Sequence, residues 1–247
     1  LYAVRPGKRA VVLAGNDDAY GVALDLHDAG VDVAAVVECR DELSSDPRVA
    51  AVKERGIEVM VGHTVYAAHA KSHHLVSVDV RRIIAAGECD ERGLKIDCDL
   101  LCMSVGFIPA YQLACQAGAR LNYDDQRASF SITGLPENFE MGEADEARNF
   151  PWPIFRHPKG KEFVDFDEDL QIADIINATR AGYRDIQLVK RYSTCGMGPS
   201  QGRQSALPAA RLVAKATGRT VAETGVTTAR PPFSAETLGH CAGRSFF

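Results

Sequence analysis

A chain of 247 residues with 46% hydrophobic and 25% charged side chains has globular composition and enough length for one large domain or two small ones. A net charge of −5 and a pI near 5.8 argue against nucleic acid or an anionic membrane surface as the main partner. The longest apolar stretch, "LLCMSVGFIPAY", is too short to cross a bilayer and contains Gly and Pro, and with no secretory signal ahead of the first strand a cytoplasmic protein is expected.

The first apolar run, "RAVVLA" (9–14), is valine-rich and bounded by Gly15, which predicts a buried strand. After "GNDDAYG", Ala19, Val22, Ala23 and Leu26 recur at helical spacing, and Gly30 stops the helix. "VDVAAVV" (31–37) predicts a second buried strand ending in Glu38. Together these make a βαβ unit of a parallel, doubly wound α/β sheet. "DPRVAAVKERG" reads as a second helix and "IEVMVG" (57–62) as a third strand. The texture then changes: "TVYAAHA", "HLVSVDVRRIIA" and "GLKIDCDLL" alternate apolar and polar residues between polar turns. Alternation of this kind predicts an antiparallel β-meander laid on the parallel sheet. "DLLCMSVGFIP" (99–109) reads as a strand running into a Gly-Pro turn. From about 134 to 162, proline, glycine and charge mark a linker or surface crossing. Three helical patterns follow: "LQIADIINATRAGY", with Ile172, Ile175, Ile176 and Thr179 on one face and Gly182 as its stop, then "DIQLVKRYS" and "SALPAARLVAKATG". Three short helices around a Gly-rich loop predict a small helical domain, and "TGVTTARPPF" reads as an extended exit strand.

Seven cysteines stand at 39, 89, 98, 102, 115, 195 and 241, with no C-x-x-C. They read as reduced core thiols, with Cys98 and Cys102 expected on one face of one strand. His69, His73 and His74 lie in a polar turn and read as an exposed loop, and Trp152, between two prolines, reads as a packing anchor. No Ser-His-Asp or Cys-His arrangement and no acid–base pair of carboxylates stands out.

A strand, a glycine turn and a helix N-terminus make an anion site, because free backbone N–H groups and the helix dipole converge there. Gly15 opens such a turn, and Asn16, Asp17, Asp18 and Tyr20 follow it. Asp17 and Tyr20 stand where the second and third glycines of a dinucleotide fingerprint would be, so an α/β unit without a nucleotide fits this turn as well. Two acids beside a phosphate need another task, such as capping the helix. Glu38, at the end of the second strand, has the spacing of the acid that binds ribose hydroxyls and repels a 2′-phosphate, which favours NAD over NADP. Arg40 pulls the other way, since it can pair with that phosphate. In flavoproteins with two nucleotide domains, a strand ending in Ser/Thr-x-Gly-x-x-Pro returns the chain from the NAD domain, which singles out Ser104 and Gly106, the glycine leaving room for the backbone to pass a cofactor.

"VVLAGNDDAYGVALDLHDAGVDVAAVV", "FVDFDEDLQIADI", "VKRYSTCGMGPSQGR" and "AKATGRTVAETGVTTARPPF" resemble the NAD-binding segment and central block of the alpha subunit of heterotetrameric sarcosine oxidase. The resemblance covers nearly all of the chain. It implies an NAD-binding piece of a flavoenzyme alpha subunit that oxidises a CH–NH donor, the N-methyl group of sarcosine, and passes electrons to oxygen. It also implies FAD and FMN in the parent complex, and beta, gamma and delta subunits as partners. The amine oxidation would take place on the beta subunit, so no residue here is expected to be catalytic. A start at Leu1 and an end at Phe246 and Phe247 agree with a piece of a longer polypeptide. The implied divisions are 1–97, a Rossmann-like NAD domain with meander; 98–160, a flavin-domain return segment and linker; 161–228, a helical domain resembling a [2Fe–2S]-binding one; and 229–247, an exit segment. Related opine and hydroxyproline dehydrogenases and cyanide synthase hold a [2Fe–2S] cluster with four cysteines in this block. Their positions fall on Asp165, Asp167, Ser200 and Ser205, so no cluster is expected here. Lys190, Arg191, Thr194, Gly196, Met197, Gln201 and Arg203 would then face a flavin or the partner subunit, although a solvated basic face and ordinary turn hydrogen bonds account for them equally well. A related amine or opine dehydrogenase subunit, and a structural subunit without nucleotide, remain as alternatives.

Overall fold

The structure, a computed structural model, describes residues 4–134, 148–157, 159–160, 162–229, 234 and 237–239. Most of the expected linker, Cys241, Phe246 and Phe247 lie outside the described residues. Contacts divide the chain into two compact units, Leu1–Phe107 with Glu146–Gly160, and Ile108–Asp145 with Lys161–Phe247.

The first unit contains β1 (Arg9–Ala14), α1 (Asp18–Asp28), β2 (Asp32–Glu38), α2 (Pro47–Glu54), β3 (Val59–Val61), β4 (His63–Lys71), β5 (His74–Ala85), β6 (Glu88–Cys89), β7 (Leu94–Asp97) and β8 (Leu100–Ser104). Four parallel strands form a sheet in the order β3-β2-β1-β8. Successive side chains on a strand point to opposite faces, so a strand covered on both sides must be apolar throughout. Val12 and Ala14 of β1 pack with Ala19, Tyr20 and Ala23 of α1 and Val49 and Val52 of α2. Val11 and Leu13 face the other way, onto Val78 and Val80 of β5. The second face is thus covered by the antiparallel meander β4-β5-β7 rather than by helices. Val22, expected on the core face of α1, is exposed, and Tyr20 takes its place with no exposed surface.

Cys98 and Cys102 do not share a face. Cys98 directly follows β7 and packs in the meander-side core, whereas Cys102 lies in β8 and packs toward the helices. The chain changes sheets between them, and the Asp99 carboxylate fixes the crossing by accepting N–H bonds from Lys8 at 2.8 Å and Arg9 at 2.8 Å. All six described cysteines are free thiols.

The second unit contains α3 (Gln112–Gln116), β9 (Arg120–Asp124), β10 (Ser129–Gly134), β11 (Phe163–Asp165), β12 (Leu170–Gln171), α4 (Ile172–Arg180), α5 (Ile186–Ser193), α6 (Ala206–Thr217) and α7 (Val221–Thr224). Asp174 accepts the Gln171 N–H at 2.8 Å to start α4, and Asp185 accepts the Gln187 N–H at 2.8 Å to start α5. α6 is the central helix, with Leu207, Ala210, Leu212 and Val213 all buried, and Pro208 sits in its first turn, where no N–H is needed. Gly218 ends α6 at φ +69°, the left-handed conformation that glycine adopts without strain. The hairpins β9–β10 and β11–β12 were not expected from the sequence. The expected exit strand is absent from residues 225–229, which hold no regular structure, and 230–233 lie outside the described residues. No described helix is long and apolar enough to cross a membrane. The architecture is the predicted one: an α/β parallel sheet with an antiparallel meander, followed by a small helical region.

Candidate functional site

The β1–α1 turn lies at the carboxyl ends of β1 and β8. β2 and β3 extend the sheet to one side of β1 and β8 to the other, so this is where strand order reverses and where open α/β sheets form a ligand crevice. The Gly15 N–H donates to the Ser104 carbonyl at 2.7 Å, and the Ser104 hydroxyl donates to Asn16 Oδ1 at 2.7 Å. A Cβ on Gly15 would stand 2.9 Å from the Val105 Cα and 2.9 Å from the Phe150 Cβ. Glycine is required because the backbone of the β8 exit passes over the turn. Asn16 is buried, at 2% exposure, and its Nδ2 has no hydrogen-bond partner among the described residues. No side chain caps α1: Asp17 precedes the helix without a capping hydrogen bond. An uncapped helix start beside this amide leaves backbone and side-chain donors unmatched at one place.

The two acids of the turn have partners other than the helix. Arg40 donates to Asp17 Oδ1 at 2.7 Å, and Ser44 donates to the same oxygen at 2.8 Å. Arg48 bridges Asp18 at 3.0 Å and Asp46 at 2.8 Å. Their charges are therefore balanced by arginines that sequence reading did not assign to them. Glu38 is fully buried. It accepts the Tyr20 hydroxyl at 2.8 Å, and the Arg40 backbone N–H and guanidinium at 2.8–2.9 Å. Burial first, and the neighbouring Glu38 carboxylate second, push the Tyr20 hydroxyl far above its usual range, so it stays a proton donor. Burial alone would lower the Arg40 pKa, but hydrogen bonds to Glu38 and Asp17 outweigh it and hold the guanidinium cationic.

Gly106 also answers to a close approach. A Cβ there would stand 2.7 Å from the Asn149 Cγ. The Asn149 amide accepts the Phe107 N–H at 2.7 Å and donates to the Phe107 carbonyl at 2.7 Å, as a neighbouring strand would. The Asn149 side chain therefore lies directly against the Gly106 backbone. Asn149 carried no sequence signal, lying 42 residues away in a segment without periodicity.

In the second unit the four positions aligned with cluster cysteines converge as hydrogen-bonded pairs. Asp165 Oδ2 accepts the Ser205 hydroxyl at 2.8 Å and the Gly196 N–H at 2.7 Å. Asp167 Oδ2 accepts the Ser200 N–H at 2.8 Å. Cys195 lies buried beside them, its thiol pushed up to about 11 by burial and then by Asp165. Hydroxyls and carboxylates already satisfied by one another do not fit a [2Fe–2S] cluster, which takes thiolates. Lys190 is buried and donates to the Thr228 carbonyl at 2.8 Å. Arg191, Thr194, Met197 and Arg203 are exposed, Gln201 is half-buried and Gly196 is buried. Thr194 takes a left-handed conformation at the end of α5, where its hydroxyl donates to Glu168 at 3.1 Å.

Comparison with known proteins shows what the chain is similar to. Residues 159–244 match the sarcosine oxidase A3 domain. The "Sarcosine oxidase subunit alpha" of Rhizobium meliloti (strain 1021) is 29% identical over 98% of the chain, which covers 27% of that protein. The "Sarcosine oxidase subunit alpha" of Corynebacterium sp. (strain U-96) is 25% identical over 99% of the chain, which covers 30% of it. The chain thus spans less than a third of the length of these relatives. The crystal structure of L-proline dehydrogenase from P. horikoshii superposes with a TM-score of 0.62 at 18% identity, over 96% of this chain and 50% of that one, a likeness of fold. The chain is thus similar to the sarcosine oxidase alpha subunit along nearly its whole length, and residues 159–244 match the A3 domain described for that protein.

Proposed function

We propose that the first unit binds NAD at the β1–α1 turn, as the nucleotide-holding part of an oxidoreductase alpha subunit. The observation that carries this reading is the uncapped start of α1 beside the buried Asn16 amide, whose Nδ2 has no partner among the described residues. The pyrophosphate would accept from the first free N–H groups of α1 and from Asn16 Nδ2, with the helix dipole adding attraction. Ser104 fixes Asn16 in that orientation by donating to its Oδ1, and Gly15 lets β8 close over the turn. Bound NAD would supply a hydride-accepting ring. This chain's residues would hold the nucleotide and balance charge; none is assigned a proton-transfer step.

In the parent complex the chain would serve oxidative demethylation of sarcosine, with FAD and FMN and with beta, gamma and delta subunits. Similarity to sarcosine oxidase alpha subunits over nearly the whole chain supports this. The exposed Arg191, Thr194, Met197 and Arg203 would form the flavin-facing or subunit-facing side of the second unit. The test is direct. The purified chain is denatured and the supernatant analysed for nucleotide, and the nucleotide-free chain is titrated with NAD by calorimetry. Saturable binding at one site per chain is expected. Absence of both copurified and titratable nucleotide would overturn the reading in favour of a structural subunit.

A further inference from the structure

In dinucleotide-binding folds the acid at the end of the second strand holds the adenosine ribose. Glu38 occupies that position but has no surface to offer: its exposure is 0%. Oε1 accepts two N–H bonds from Arg40, and Oε2 accepts one from Arg40 and one from the Tyr20 hydroxyl. A carboxylate has about four lone-pair sites, and all are filled. Asp17 is different. Its side chain is 32% exposed, and Arg40 and Ser44 both donate to Oδ1. Oδ2 accepts no hydrogen bond among the described residues. Arg40 reaches from the buried carboxylate to the exposed one, so the Tyr20–Glu38 pair fixes the guanidinium and the guanidinium fixes Asp17.

Resting on the NAD reading above, we propose that Asp17, in place of Glu38, accepts the adenosine ribose hydroxyls through Oδ2 and excludes a 2′-phosphate, with Arg40 as its positioning residue. A 2′-phosphate would have to take Arg40 from both of its carboxylates. A neutral diol donates to Oδ2 without disturbing either.

The test is calorimetric titration of the chain and of Asp17→Asn and Glu38→Gln with NAD and with NADP, alongside thermal melts. The unmodified chain is expected to prefer NAD by at least about tenfold, and Asp17→Asn to lose about tenfold in NAD affinity and most of that preference, with little change in melting temperature. Glu38→Gln is expected to melt earlier and to weaken both nucleotides together, leaving their ratio within about twofold. A ratio that collapses in Glu38→Gln and survives in Asp17→Asn would overturn the assignment. Should Glu38→Gln fail to fold, an unchanged ratio in Asp17→Asn overturns it alone. Binding of neither nucleotide by the unmodified chain would be the separate failure of the NAD reading itself.

Discussion

Gly15 and Glu38 show how the β1–α1 turn constrains single residues. With the Val105 backbone and the Phe150 Cβ each 2.9 Å from where a Cβ would stand, Gly15→Ala must displace the β8 exit. Overpacking of this kind costs about 1–3 kcal/mol, and a denaturant melt is expected to show that loss. Glu38→Ala leaves Arg40 without its main partner and the Tyr20 hydroxyl buried without an acceptor. Removing one partner of a buried pair costs about 3–5 kcal/mol, the upper part of the range for single changes. A melt showing less than about 1 kcal/mol would mean that Glu38 is not a buried anchor. At this scale the sequence revealed the glycine and the acid but not their tasks. Gly15, Asn16, Asp17, Tyr20, Glu38, Arg40 and Ser104 do gather at one turn. That Asp17 would be held by Arg40 instead of capping α1 depends on a reach of 23 residues, which no local pattern encodes.

At the scale of elements, the 195–205 loop shows how carboxylates organise the second unit. It is held to the β11–β12 hairpin by hydrogen bonds to Asp165 and Asp167. This clasp has a pH dependence with a definite sign. The Ser200 hydroxyl first, and its N–H second, hold the Asp167 carboxyl below its usual value of 3.8. A carboxylate depressed in the folded state adds stability that is full above about 3.8 and is lost as pH falls through the lower folded value. Melts of the unmodified chain and Asp167→Asn are expected to differ above the usual carboxylate value of 3.8 and to converge as pH falls through the lower folded value. A gap that persists in acid would show that Asp167 acts through something other than its charge. The element pattern was legible where periodicity is strong, as in β1, α4 and α6. It was not legible in β9–β10 or β11–β12, which are short, carry charge or asparagine between their apolar residues, and depend on packing against residues distant in sequence. Phe130, for example, is buried with Tyr111 and Leu207.

Over the whole molecule, the fold class followed from one switch in period, from continuous apolar strands to alternating ones, because parallel strands buried on both faces and meander strands buried on one obey different rules. The family resemblance rested instead on four stretches similar to the family's segments, and comparison supports it along nearly the full chain. Because the chain spans less than a third of those relatives, the complete reaction is not expected from it. An oxygen-consumption assay on sarcosine with added FAD and FMN is expected to show no turnover above a flavin-only control. Turnover would require a complete amine-oxidising site within these residues. The central claim concerns location: a nucleotide held at the carboxyl ends of β1 and β8. Hydrogen–deuterium exchange of the chain with and without saturating NAD tests it most directly. The account predicts protection concentrated in residues 14–20 and at the end of β8 near Ser104. Protection confined to the second unit, or none at saturating nucleotide, would contradict it.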